Sequence, residues 1–148
     1  MKIADALKNV QRIFLDTAPV IYFFERHPVY FSRMEAFFHF RRNAGITIIT
    51  SPVTLVECLV HPIRRGLSRQ CKGYKHLILQ GDNTEFWEIG AEAADRAARL
   101  RAALSITLAD ALQAGVALAS RCDSFMTNDR QLSRIGDISV LLLDDLEQ

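Results

Sequence analysis

Apolar positions along this chain follow two alternating rhythms: short, nearly unbroken runs, and longer stretches where they recur every three or four residues. The runs at 12–15 (R-I-F-L), 46–50 (I-T-I-I-T), 84–89 (T-E-F-W-E-I), 124–127 (S-F-M-T) and 138–143 (I-S-V-L-L-L) predict five strands. The second rhythm predicts helices over 17–26, 29–43, about 52–65, 68–80, 91–104 and 107–121, and a short one over 129–135. Phe31, Met34, Phe37, Phe38 and Phe40 form the apolar positions of the second of these, and 91–104 is Ala-rich and strongly helix-forming.

Punctuation agrees with this reading. Pro28 breaks the chain, and Gly45, Gly66 and Gly81 each follow a helical stretch. Ser51-Pro52 is a helix start, with Ser as cap and Pro at the first helical position. Thr107 opens another helix with Asp110 three positions on, in capping-box register. A bend is expected at His61-Pro62. Strands that alternate with helices predict an α/β fold with a mostly parallel sheet covered on both faces. Such sheets bind ligands beyond the carboxyl ends of their strands, where strand order reverses.

The 148 residues suit one domain, 1–148, large enough to bury a core. The formal net charge is only +1, so the chain lacks the general basic character of a protein that holds phosphates by charge alone. Local basic clusters exist at Arg41-Arg42 and Arg64-Arg65, with Arg69, Lys72 and Lys75 nearby, and read first as solvated helix faces. Cys58, Cys71 and Cys122 are odd in number and share no metal-ligand spacing, which predicts reduced, buried thiols in a cytoplasmic protein. Neither a signal-peptide core nor a membrane-length apolar run is visible, so no membrane partner is expected. His27, His39, His61 and His76 are scattered, and Trp87 and the Phe-rich stretch read as core, part of the latter also suiting an interface.

Four carboxylates stand apart. Asp16 ends the first strand (F-L-D-T) and Asp129 follows the fourth (F-M-T-N-D), so both leave the sheet at its ligand-binding edge. Each also suits a helix cap. Thr127 and Asn128 add a hydroxyl and an amide there. Glu57 lies among Val53, Leu55, Val56 and Leu59, where a carboxylate needs a partner or a metal; the alternative is an exposed position on the helix. Asp110 lies in the largely apolar L-A-D-A-L stretch at a helix N-terminus, which favours negative charge. Four carboxylates at one edge repel each other unless a cation sits between them. Oxygen-only ligands suit Mg²⁺ or Mn²⁺ rather than zinc.

The strings F-L-D-T, V-T-L-V-E, L-A-D-A-L and F-M-T-N-D, in this order from about Arg12 to Leu143, resemble the PIN-domain family, and within it the VapC-like toxins of toxin–antitoxin pairs. The resemblance implies a three-layer α/β/α fold with a five-stranded sheet. It also implies Mg²⁺- or Mn²⁺-dependent hydrolysis of RNA by water. Asp16, Glu57, Asp110 and Asp129 match the family's acidic positions and Thr127 its hydroxyl near the metal. In that scheme Asp16, Asp110 and Asp129 hold metal directly or through water, and Glu57 ligates a metal or orients the water. A homodimer and a small inhibitory antitoxin are the partners it implies. Two departures stand out: a longer lead-in, Met1 to Gln11, and Gln113 where relatives often carry His.

The alternative is a catalytically silent PIN-like module that binds RNA or protein. Aspartyl-phosphate chemistry fits less well, because the phosphatase signature wants a second Asp where Ala18 stands.

Overall fold

The computed structural model describes residues 1–147. Five strands, β1 (Arg12–Leu15), β2 (Thr47–Thr50), β3 (Thr84–Phe86), β4 (Ser124–Thr127) and β5 (Ser139–Leu142), form one sheet in the order β3-β2-β1-β4-β5. Every pairing is parallel. β1 is therefore central, and strand order reverses between β2 and β4 on either side of it. The carboxyl ends of β1 and β4 lie side by side there, with Leu15 opposite Met126.

Seven helices are described: α1 (Ile3–Ala6), α2 (Thr17–Phe24), α3 (Phe31–Ala44), α4 (Pro52–Arg64), α5 (Ser68–Gln80), α6 (Ala91–Ala103) and α7 (Leu108–Ala119). Two single 3₁₀ turns follow, at Arg130–Arg134 and Leu143–Asp145. None of the described helices is long and apolar enough to cross a membrane. Period-two alternation along the strands sorts the side chains to two faces. Ile13, Leu15, Ile48 and Met126 join one core with Val20, Met34, Phe37, Leu59, Tyr74 and Ile78, from α2 to α5. Phe14, Ile49 and Phe125 join a second core with Ala93, Ala97, Leu100, Ala111 and Ala114, from α6 and α7. The result is a three-layer α/β/α fold, as expected.

The two helical layers pack differently. α6 and α7 meet through alanines and Gly115, where an added Cβ would stand 2.4 Å from the Ala93 carbonyl oxygen. Only glycine permits that approach. On the other side the layer is built from large aromatic rings. Local signals explain the boundaries. The Ser51 hydroxyl accepts from the N–H groups of Val53 and Thr54, and Pro52 occupies the first turn of α4. Gly45 caps α3 at φ +71°, the left-handed region.

Several expectations need correction. The strand predicted over 84–89 ends at Phe86, and Trp87 is 37% exposed rather than core. β3 is an edge strand with a neighbour on one side only, so little covers the residues beyond it. The predicted helix over 129–135 is a 3₁₀ turn. α4 continues through Pro62 to Arg64. α1 and the turn at 143–145 carry too few residues for periodicity to register.

Candidate active site

The chemistry gathers at the carboxyl edge of β1 and β4. Asp16 follows β1 directly and caps α2, its Oδ1 accepting from the Thr17 N–H at 2.9 Å. Its backbone N–H donates to the Met126 carbonyl, which pins the residue to the end of β4. Thr127 donates its hydroxyl to Asp16 Oδ2 at 2.8 Å, and Gln113 Nε2 reaches Oδ1 at 3.4 Å. The residue is 9% exposed. Burial raises its pKa above the ordinary carboxylate value; the hydrogen bonds from Thr127 and Thr17 work against this, and the charge of Asp110 adds to it.

Asp129 follows β4 and lies at the surface. Its Oδ1 caps the 3₁₀ turn through the Gln131 N–H at 3.0 Å, and its own N–H donates to Thr127 Oγ1 at 3.1 Å. The buried Thr127 hydroxyl thus links the two aspartates. Asp110 sits half-buried in the first turn of α7, where the Thr107 hydroxyl accepts its N–H at 3.1 Å. Burial raises the Asp110 pKa, and the nearby charges of Asp129 and Glu57 raise it further, against the hydrogen bond to Thr107. Asp16 and Asp129 are each cap and candidate ligand at once, since the cap uses one carboxylate oxygen, whereas Asp110 engages its cap, Thr107, through the backbone.

Glu57 corrects an expectation. The sequence placed it in apolar surroundings, yet it projects from the open side of α4, where Val56 and Val60 are themselves exposed. Its partner is the Thr17 hydroxyl, which donates to Oε1 at 2.6 Å.

All four acids and Thr127 line one open pocket of about 490 Å³, together with Thr17, Ile21, Tyr22 and Asn128. Among the described residues no Lys, Arg or His lines it, and none of the ion pairs involves these four acids. Two of the acids also have raised pKa values partly because of their acidic neighbours, which is the signature of negative charge left uncompensated by protein. Among the described residues no three His, Cys, Asp or Glu side chains are close enough to form a ready cation cage. The donor set is nevertheless all oxygen. A small hard cation that keeps several of its waters fits it, because those waters span carboxylates that do not touch.

Gln113 was marked in the sequence only as a departure. The structure makes it the hub behind Asp16. It is 1% exposed, accepts from the Ser51 hydroxyl, and donates to Thr54 Oγ1 at 2.7 Å as well as to Asp16. The signal was present: a Gln inside A-L-Q-A-G-V must find partners if that face is buried. Thr17, Ser51 and Thr54 carried no comparable signal, since hydroxyls in those positions read simply as caps or helix surface. Cys58, beside Glu57, is no nucleophile: burial first, then the charges of Glu57 and Glu25, push its pKa up to about 12.

The PIN-domain family model matches residues 13–138. No curated protein matches the chain. Several solved structures share the fold. VapBC2 from Rickettsia felis, bound to a DNA fragment from its promoter, aligns with TM-score 0.69 and 20% identity over 88% of this chain and 98% of that one. A toxin–antitoxin complex from Klebsiella pneumoniae aligns with TM-score 0.67 and 18% identity over 88% and 97%. VapC20 from Mycobacterium tuberculosis, a toxin that cleaves the sarcin-ricin loop, aligns with TM-score 0.65 and 17% identity over 84% and 95%. At these identities the likeness is one of fold.

Proposed function

The chain belongs to the PIN-domain family, and from that premise we propose that it is a divalent-cation-dependent endoribonuclease serving as the toxin of a toxin–antitoxin pair. One observation carries the reading: four carboxylates line a single pocket at the strand-order reversal, and no basic side chain lines it with them. Asp16, Asp110 and Asp129 are the residues we assign to hold Mg²⁺ or Mn²⁺, directly or through water, with Glu57 completing the set. When bound there, the cation supplies charge neutralisation for a phosphodiester and a lowered pKa for water.

The chain's own groups do the rest. Thr127 and the Thr17 N–H fix the two Asp16 oxygens, so that residue faces the pocket in one orientation. Thr17 also steers Glu57 toward the same space, and its exposed carboxylate is suited to orient the attacking water. Thr127 serves as a positioning residue, since its hydroxyl donates to Asp16 and accepts from Asp129. A cognate antitoxin and a second copy of the chain are the partners we propose, in line with toxin–antitoxin complexes among the structures of similar fold.

Incubating the purified chain with total RNA in Mg²⁺, Mn²⁺ or EDTA tests the chemistry. Cleavage in either metal and none in EDTA is the expected result. The separation of the carboxylates favours a second reading, a silent PIN-like binding module. RNA left intact in both metals, together with no metal binding by calorimetry, would establish that module instead. Growth arrest on induction, relieved by Asp16→Ala, tests the toxin role; equal toxicity of both forms would remove it.

A further inference from the structure

The pocket has one aromatic wall that the chemistry above leaves unused. Tyr22, on α2, lines it together with the four acids. Its ring stacks on Tyr30 at 4.6 Å between centroids and 19° between planes, and meets His27 at 4.7 Å. His27 and Tyr30 approach each other at 5.0 Å. The three rings are held in place. His27 Nδ1 accepts the N–H groups of Val29 at 3.1 Å and Tyr30 at 3.3 Å, which leaves its proton on Nε2. Tyr30 donates its hydroxyl to Asp144 at 2.7 Å, and the Asp144 N–H donates to the Asn128 side chain at 3.2 Å. Asn128 lines the pocket beside Asp129, so the aromatic group and the acidic edge are mechanically joined.

A polyanion meets a difficulty at this pocket. The whole chain is nearly neutral and the lining offers it no side-chain cation. Beyond the one phosphate that a bound cation would take, the lining therefore offers no basic side chain for phosphate contacts, the usual source of affinity for nucleic acid. Stacking of a base on an aromatic face is independent of charge and available to every base. The contrast with another stacked pair is instructive: Phe14 and Phe125, 5.0 Å apart, are both fully buried and can only be core. Tyr22, His27 and Tyr30 are all partly exposed, and Tyr22 borders the reacting space.

We propose that Tyr22, backed by His27 and Tyr30, is a stacking platform for the RNA base next to the phosphate that is cut. The inference rests on the ribonuclease reading and specifies how that site holds its substrate. The platform needs an unpaired base, one free to leave a helix and stack, so the probe is a single-stranded RNA.

Cleavage kinetics of the full chain on a short end-labelled single-stranded RNA in Mg²⁺ test it. Tyr22→Leu is expected to raise KM about tenfold with kcat near wild type, and Tyr22→Phe to restore KM. An RNA with a single abasic ribose beside the cut is expected to show the same rise with the wild-type chain, and no additional rise with Tyr22→Leu. An unchanged KM in Tyr22→Leu, or an abasic RNA bound as tightly as the intact one, overturns the platform while the nuclease stands. Tyr22→Phe behaving like Tyr22→Leu, with matching loss of thermal stability, also overturns it and leaves Tyr22 a packing residue. Absence of cleavage by the wild-type chain in Mg²⁺ and Mn²⁺ overturns the nuclease reading and the platform together.

Discussion

The inner wall of the acidic pocket and its outer rim are built on opposite terms. Asp16 is enclosed, with hydrogen bonds from Thr17, Thr127 and Gln113 locking both oxygens. Glu57 and Asp129 stand in solvent, and among the described residues each carboxylate accepts one hydrogen bond. On the inner wall desolvation outweighs those hydrogen bonds, since the pKa of Asp16 rises despite them. Folding therefore holds an ionised carboxylate at a cost in stability, which protonation or an arriving positive charge relieves. On the rim little is invested, so those groups are free to follow a ligand. The most buried acid, fixed at both oxygens, therefore sets the pocket's geometry.

The sharpest way to break this contrast is to remove the inner acid. Asp16→Ala is expected to lower RNA cleavage by about 10³-fold or more with the fold retained by circular dichroism, and Asp129→Ala to lower it less. Equal losses would erase the distinction between wall and rim. Next in size is Gln113→Ala, which leaves Asp16 in place but removes its support. Cleavage should fall roughly 10- to 100-fold, as for residues that orient a metal ligand. Denaturant unfolding should show a loss of about 1–3 kcal/mol, because the Ser51 and Thr54 hydroxyls lose a buried partner.

A third measurement concerns pH without added cation. A carboxyl whose folded pKa lies above its unfolded value contributes stability at low pH that is lost as pH rises through the folded pKa. Asp16→Asn keeps the shape without the charge. It should melt a few degrees above wild type at neutral pH, and the gap should close on acidification toward the ordinary carboxylate range. Mg²⁺ should raise the wild-type melting temperature at neutral pH and do little for Asp16→Asn. A gap that widens on acidification would show that Asp16 is stabilised as an anion by protein alone. The smallest effect belongs to the rim: Thr17→Ala should reduce cleavage only a few-fold and shift stability by less than about 0.5 kcal/mol, and Thr17→Ser should restore cleavage.

What the sequence disclosed follows the same division. Asp16 and Asp129 were legible because each interrupts an apolar run at its carboxyl end, and a strand edge is a place periodicity can find. The caps Ser51 and Thr107 were legible because their chemistry is local. Glu57 was located but its setting was misjudged: Val53, Leu55, Val56 and Leu59 around it suggested apolar surroundings, whereas Val56 belongs with Val60 and Ile63 to an exposed apolar stripe along α4. Apolar spacing reveals a stripe, not what covers it. Trp87 failed for the related reason that strand length at a sheet edge is set by a neighbour distant in sequence. Gln113 was noticed for what it replaced, while its partners Ser51, Thr54 and Asp16 come from elements far apart in the chain.

The bond between Thr127 and Asp16 spans 111 residues, and β1 lies between strands that both come later. A ribosome making this protein therefore releases the acid 111 residues before its anchor. Over that stretch of synthesis the nascent chain carries the buried-site acid without the hydroxyl that fixes its orientation, so the pocket cannot take shape before β4 has emerged.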